Sequence, residues 1–378
     1  MDFKDFESGI YRQQYQYKSF APSTVNHSWV WSNPKINTLL EQANHKLGSL
    51  NAFSKQVPDV DYFIRMHVIK EATTSSRIEG TKTNIEEALL KAKEVEPERR
   101  DDWQEVQNYI AAMNHAIKRL QKMPISTRLM KEMHKILLSK GRGASKLPGE
   151  YRKSQNWIGG ATIKDAVFIP PSHEEIHSLM SDLEKFLHNE ELDVPNLIRI
   201  AIGHYQFETI HPFLDGNGRV GRLLIALYLV SKGLLVKPTL YLSDYFDKHR
   251  SVYYDKLLLA RTKNDLAQWI MFFLVAVTET CDEGIRTFEK IQKLRDDVEG
   301  KRIVRLGRKI PKAKELIMNL YRNPRVTSED VCRLLKVTAK TANELIQDLV
   351  NVQILVEVTG RQRNRIFSFV EYVKLFGS

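Results

Sequence analysis

The twelve residues His211-Pro212-Phe213-Leu214-Asp215-Gly216-Asn217-Gly218-Arg219-Val220-Gly221-Arg222 constrain this chain more than any other stretch. They hold one imidazole, one carboxylate, two glycines around an amide, and two guanidinium groups three positions apart. Directly after them comes Leu223-Leu224-Ile225-Ala226-Leu227-Tyr228-Leu229-Val230, apolar enough to be a buried helix. That order describes an anion site at a helix N-terminus, where free backbone N–H groups and the helix dipole favour phosphate. Gly216 and Gly218 let the backbone approach phosphate without a Cβ, and Asn217 adds hydrogen-bonding capacity. Arg219 and Arg222 share a helix face and can grip successive phosphates. Asp215 is a hard oxygen ligand suited to Mg²⁺ bridging phosphate oxygens. His211 can take a proton from an attacking hydroxyl.

At 378 residues the chain has room for two or three domains, and 42% hydrophobic with 27% charged residues is the balance of a soluble globular protein. The apolar runs at 223–230 and 269–277 fall far short of the ~18–20 residues of a membrane span. Met1–Glu7 is charged and lacks the apolar core of a signal peptide. Cys281 and Cys332 suggest no disulfide framework, so the expected location is cytoplasmic. Residues 301–378 hold 16 Lys and Arg against 7 Asp and Glu, a net +9, which leaves only +2 of the total +11 for the rest. Charge concentrated in one terminal module points to an acidic partner for it.

The fold class expected is mainly α. Residues 1–33 read as an irregular wrap. Phe63, Met66, Ile69 and Thr73 recur at helical spacing in a helix over 61–78 that stops at Glu79-Gly80. Thr83-Asn84-Ile85-Glu86 reads as a capping box for a helix to about Lys93, followed by a solvated connection and helices over 103–122 and 126–138. The Gly- and Pro-rich stretch 140–171 contains two β-prone runs, 155–158 and 166–169, that read as a hairpin. Ser172-His173-Glu174-Glu175 reads as another capping box. His173 and His177 formally match H-E-x-x-H, but they sit in a first helical turn with no third ligand in view, so no zinc site is expected. Helices follow over 196–210, 223–232, 248–261 and 266–294, then a basic connection at 301–309. Beyond Pro311 the order is helix, helix, turn, helix, strand, strand, with Arg361, Arg363 and Arg365 between the strands, as in a winged helix-turn-helix. The expected divisions are an N-terminal helical region (1–110), a core (111–300) and the winged helix (310–378).

The window His211–Arg222 resembles the signature of the Fic family, HPFx(D/E)GNGRxxR, and matches every fixed position. The resemblance implies a Fic-fold helical core with a β-hairpin flap, and transfer of AMP from ATP to a Ser, Thr or Tyr hydroxyl of a protein with release of pyrophosphate. Carried over, His211 is the base, Asp215 holds Mg²⁺, Gly216, Asn217 and Gly218 form the anion hole, and Arg219 and Arg222 hold the phosphates. Tyr151–Pro171 resembles the family's flap, on which a target protein docks by strand addition. By the same resemblance Ile158 lies over the nucleotide and Tyr253 and Tyr254 contact the base. Ser75-Ser76-Arg77-Ile78-Glu79-Gly80 resembles the family's inhibitory motif, (S/T)xxxE(G/N), which implies that Glu79 pairs with Arg222 and misplaces ATP. The chain itself is a further candidate target, and a homodimer a candidate assembly. The competing reading is a DNA-binding regulator that contacts DNA through 310–378 while its Fic core senses nucleotide. No membrane partner is expected.

Overall fold

From Pro34 onward the apolar spacing is helical, and the computed structural model, which describes residues 1–56 and 60–377, is built mainly of helices. The long ones come in sequence as α1 (Pro34–Gln56) and α2 (Val60–Ile78). The side chain of Phe63, one of the residues that suggested α2, lies outside the described residues. Gly80, with φ at +95°, turns the chain away from the end of α2. The next helix, α3, is only Ile85–Ala88 instead of running to Lys93. Its cap is shifted by one residue from the expected box. The Asn84 side chain accepts from the Glu87 N–H at 2.8 Å, and the Glu87 carboxylate accepts from the Asn84 N–H at 3.1 Å.

The core helices are α4 (Arg100–Leu120), α5 (Thr127–Leu137), α6 (Ile176–His188), α7 (Asn196–Ile210), α8 (Asn217–Ser231), α9 (Ser243–Lys248), α10 (Arg250–Lys263) and α11 (Leu266–Asp297). α4 passes through position 110 without a break, so the division expected there falls inside a helix. Ser172 makes no side-chain cap bond. A 3-10 turn over His173–Glu175 precedes α6 in place of the expected capping box. Every residue of α7 from Leu197 to Ile210 is buried, because α6, α8 and α11 pack around it. A helix enclosed on all sides lies at the centre, and its polar members, Arg199, His204, Gln206, Glu208 and Thr209, are buried with it.

Two expectations of local structure are corrected. The N-terminal stretch contains an antiparallel hairpin, β1 (Gly9–Gln13) with β2 (Lys18–Pro22). Gly9 is required there, since a Cβ would fall 2.2 Å from the Ala21 carbonyl oxygen. Conversely, the flap between 151 and 171 is paired only through one bridge, Ile158 with Phe168. Gly159 and Gly160 take positive φ directly after Ile158, and the Asp165 carboxylate gathers the N–H groups of Ala161 and Thr162. That turn ends strand pairing after a single residue. The two features meet where the Phe20 N–H donates to the Ile169 carbonyl at 2.9 Å and the Phe20 ring lies 5.5 Å from Phe168.

The basic stretch 301–309 is helical rather than an open connection, and Gly307 kinks it before α12 (Ile310–Arg322). β3 (Arg325–Val326), α13 (Ser328–Leu335), α14 (Ala339–Asn351), β4 (Val356–Glu357), β5 (Phe367–Ser368) and α15 (Val370–Val373) follow, with strand order β3-β5-β4, all antiparallel. Thr327 and Asp330 form a capping box at the start of α13. This C-terminal unit rests on α2 through α12 and through Phe376 against His67 (5.0 Å between rings), and reaches the segment after α3 through a Lys91–Asp330 ion pair at 3.0 Å. No helix among the described residues is long and apolar enough to cross a membrane.

Candidate active site

α7 ends in His211, whose left-handed backbone (φ +50°) turns the chain into the loop before α8. The His211 N–H still donates to the Phe207 carbonyl at 2.9 Å. The loop is closed by Asn217, whose side chain accepts from the Phe213 N–H and donates to the Phe213 carbonyl, both at 2.8 Å. Both ends of this amide are therefore engaged in shaping the loop. Gly216, at φ +78°, lets α8 start immediately after the loop, which leaves its first N–H groups without intrahelical partners. From below, His134 stacks on Phe213 at 3.8 Å, accepts from the Gly149 N–H and lies 3.0 Å from the Asp215 carbonyl. Because Nδ1 accepts, Nε2 carries the proton and donates.

His211 is mostly enclosed. Burial, helped by the nearby Arg261 guanidinium, lowers its pKa to about 4, so the ring is neutral at pH 7. Its Nδ1 donates to the Glu208 carbonyl at 3.3 Å, which leaves Nε2 as the free acceptor. Asp215 keeps 43% of its side chain exposed and meets Arg219 at 3.3 Å. The other arm of Arg219 lies 3.3 Å from Glu105, which also accepts from Arg142 (2.8 Å) and Thr81 (3.0 Å).

Arg222 is 2% exposed and is held by the end of α2 and the residue after it. Its Nε donates to Ser75 Oγ at 2.9 Å, and Nη2 donates to the Ser75 carbonyl at 2.9 Å and to Glu79 Oε1 at 2.7 Å. Burial alone would lower the Arg222 pKa, but Glu79 and the neighbouring Tyr253, Tyr254 and Glu208 carry it above its ordinary value. Burial likewise works to raise the Glu79 carboxyl, and Arg222 outweighs it and holds the group ionised. Glu79 also covers the start of α8, since a Cβ at Gly218 would fall 2.3 Å from its Oε1. The expected pair of Ser75 and Glu79 is therefore brought onto the arginine, and Glu79 also onto the first turn of α8.

Two expected residues part company. Tyr253 is 1% exposed and its hydroxyl is 2.9 Å from His204 Nε2, so it is a core residue and not a nucleotide contact. Tyr254, 40% exposed and adjacent to the Glu79–Arg222 pair, keeps the position open to a base. Ile158 sits at the flap's one bridge, flanked by exposed Trp157 and Val167.

Several residues of the site were missed in the sequence. Glu208 is buried, its Oε2 lies 4.0 Å from His211 Nδ1, and burial raises its pKa to about 7. Gly221 makes room for it, as a Cβ there would fall 2.3 Å from Glu208 Oε1. Glu105, His134, Arg152 and Asn156 were also passed over. A carboxylate three residues before His211 on a largely apolar helix, as at 208, was the available signal.

Residues 37–118 match the profile described as "Fic/DOC family N-terminal" and residues 124–229 the one described as "Fic/DOC family". A protein named "Protein adenylyltransferase Fic" from Drosophila erecta is 30% identical over 181 residues, 46% of this chain and 33% of that one. Its namesake from Culex quinquefasciatus is 33% identical over 135 residues, 35% of this chain and 24% of that one. The chain thus spans a third or less of the length of these relatives. A Fic family protein from Desulfovibrio desulfuricans G20 shares the fold over 92% of this chain and 98% of its own (TM-score 0.58, 20% identity). A Fic domain containing signaling protein from Bacteroides thetaiotaomicron does so over 67% and 96% (TM-score 0.52, 18% identity).

Proposed function

We propose that this chain, which belongs to the Fic/DOC family, transfers AMP from ATP to a Ser, Thr or Tyr hydroxyl of a protein and is held back by Glu79. The observation that carries the reading is the convergence of His211, Asp215, the first turn of α8, Arg219 and Arg222 around one anion-binding turn. Relatives named protein adenylyltransferase supply the reaction class. The hydroxyl oxygen attacks the α-phosphorus while its proton passes to His211 Nε2. The bond to the β-phosphate breaks and pyrophosphate leaves. A neutral imidazole with its Nδ1 already engaged suits that role. The first N–H groups of α8 and the guanidinium of Arg219 oppose the charge that develops on the phosphate oxygens.

The donor set fits Mg²⁺ in the way nucleotide enzymes use it. No group of three or more metal-binding side chains occurs among the described residues, and beside the anion site Asp215 presents a carboxylate with 43% of its side chain exposed, while the other carboxylate there, Glu79, is taken up by Arg222. One carboxylate plus phosphate oxygens and water is a usual Mg²⁺ environment, and the ion would neutralise phosphate charge there. Arg222 becomes available to the outer phosphates only when Glu79 lets go. Tyr254 and Ile158 then border the base, and the exposed flap edge at Trp157 and Val167 offers a target segment a place to lie.

The test is labelling of a target or of the chain itself with α-labelled and γ-labelled ATP. Transfer of the α label alone, dependent on Mg²⁺ and on His211, supports the reading; transfer of the γ label refutes it. A second reading, DNA binding by a winged helix at 310–378, draws on the exposed Arg361, Arg363 and Arg365. The acidic residues of the same unit are partly neutralised, since Lys309 meets Asp348 at 2.5 Å and Arg302 meets Glu371 at 2.8 Å. A salt-dependent gel shift lost when the three arginines become alanine would support it.

A further inference from the structure

Arg152 enters the flap one residue after Tyr151 and is 2% exposed, yet no carboxylate lies within ion-pair distance of it among the described residues. Its guanidinium is spent wholly on backbone carbonyls. Nε donates to His211 O at 3.0 Å, Nη2 to Pro171 O at 2.5 Å and more weakly to Ile210 O at 3.5 Å, and Nη1 to Ser154 O at 3.1 Å. Its own N–H donates to Pro212 O at 3.0 Å. Asn156 repeats the pattern from the next turn of the flap, with its Nδ2 donating to His211 O (3.3 Å) and Phe213 O (2.9 Å).

These bonds tie together three pieces of chain: the start of the flap, its end at Pro171, and the left-handed turn at His211. A buried cation is costly unless its donors are satisfied. Here it is placed at the C-terminus of α7, where unpaired carbonyls and the helix dipole favour positive charge. The planar fork matches several carbonyls at once, which a lysine ammonium does not.

We propose that Arg152 is a positioning residue that sets the flap and the His211 turn in one register, so that a hydroxyl carried by a flap-bound segment arrives where His211 Nε2 can take its proton. This inference rests on the transfer reaction proposed above. Arg152 also faces the imidazole electrostatically, and its charge helps keep His211 unprotonated.

The test is Arg152→Lys in the full chain with Glu79→Gly as parent, read in two ways. Amide hydrogen exchange should rise together in residues 154–169 and 211–214 while α8 stays protected. The rate of AMP transfer should fall about a hundredfold, the usual cost of misplacing a reacting group by about 1 Å, with the KM for ATP unchanged. Asn156→Ala, which removes two of the tethers, should do the same more weakly. Loosening of the flap alone, or an unchanged transfer rate, would overturn the proposal, as would a loss explained by weaker ATP binding. If the Glu79→Gly parent transfers nothing, the proposed reaction fails while hydrogen exchange still decides whether Arg152 couples the two segments.

Discussion

Replacing Glu79 with glycine removes one carboxylate at the end of α2 and should switch the site on. The bond lost is the 2.7 Å contact from Arg222 Nη2 to Glu79 Oε1. A charge-assisted hydrogen bond of this kind is worth about 1.5–3 kcal/mol. About a third of the Glu79 side chain is exposed (34%), so solvent competes for it and the lower end of that range, about 1.5–2 kcal/mol, is the better figure. If this energy is what keeps Arg222 from the outer phosphates, the competent fraction is held down by roughly 10–30-fold, and Glu79→Gly should raise the initial rate of AMP transfer by about that factor. Glu79→Gln, which can still accept a neutral hydrogen bond, should give a smaller rise. The assay is the initial rate of α-labelled incorporation at saturating ATP and Mg²⁺, with melting temperature measured in parallel. Equal rates in wild type and both variants, with the fold intact, would refute the idea that this bond restrains the enzyme.

Three further outcomes follow from the same geometry. Tyr254→Ala should raise the KM for ATP severalfold, whereas Tyr253→Phe should leave it unchanged and cost about 1 kcal/mol of stability by removing the hydroxyl from buried His204; kinetics and thermal melts on both separate the two. Gly221→Ala should destabilise by about 1–3 kcal/mol, because its Cβ would fall 2.3 Å from Glu208 Oε1 and 3.1 Å from Phe207; a melting temperature equal to wild type would show that α7 and α8 have room to spare. His67, His134, His204 and His211 all have pKa values lowered to about 3–4, chiefly by burial, so the unfolded chain binds more protons than the folded one between about pH 4 and 6.5. Stability should fall as pH drops through that window, by on the order of 1–2 kcal/mol per histidine at pH 5. Glu208, raised to about 7, works the other way and softens the slope between pH 7 and about 4.5, so Glu208→Gln should steepen the decline seen in denaturant titrations.

The site was legible in the sequence where chemistry and spacing coincide in one segment. His211–Arg222 fixes its own loop, and the Ser75–Glu79 segment lies on the helix expected for it. What escaped was set by long-range packing. The β1–β2 hairpin turns at Tyr15-Gln16-Tyr17 with no glycine or asparagine to mark it, and its second strand also bonds to Ile169 of the flap. The flap hairpin looked longer than it is because its β-prone residues said nothing about the Asp165 turn that interrupts pairing. Tyr253 and Tyr254 are indistinguishable as neighbours in a sequence, and only the packing of α10 on His204 sends one inward. Arg152 and Asn156 bond to backbone carbonyls, which carry no sequence signature at all.

If His211 drives AMP transfer at a site restrained by Glu79, the product carries AMP and its formation needs the imidazole. Intact-mass spectrometry after incubation with ATP and Mg²⁺ addresses this most directly, comparing Glu79→Gly with the Glu79→Gly, His211→Ala double variant and including a lysate to supply targets. Adducts of one AMP are expected with the first and none with the second. AMP adducts formed equally by the double variant, or adducts with the mass of a phosphoryl group, would contradict that role of His211.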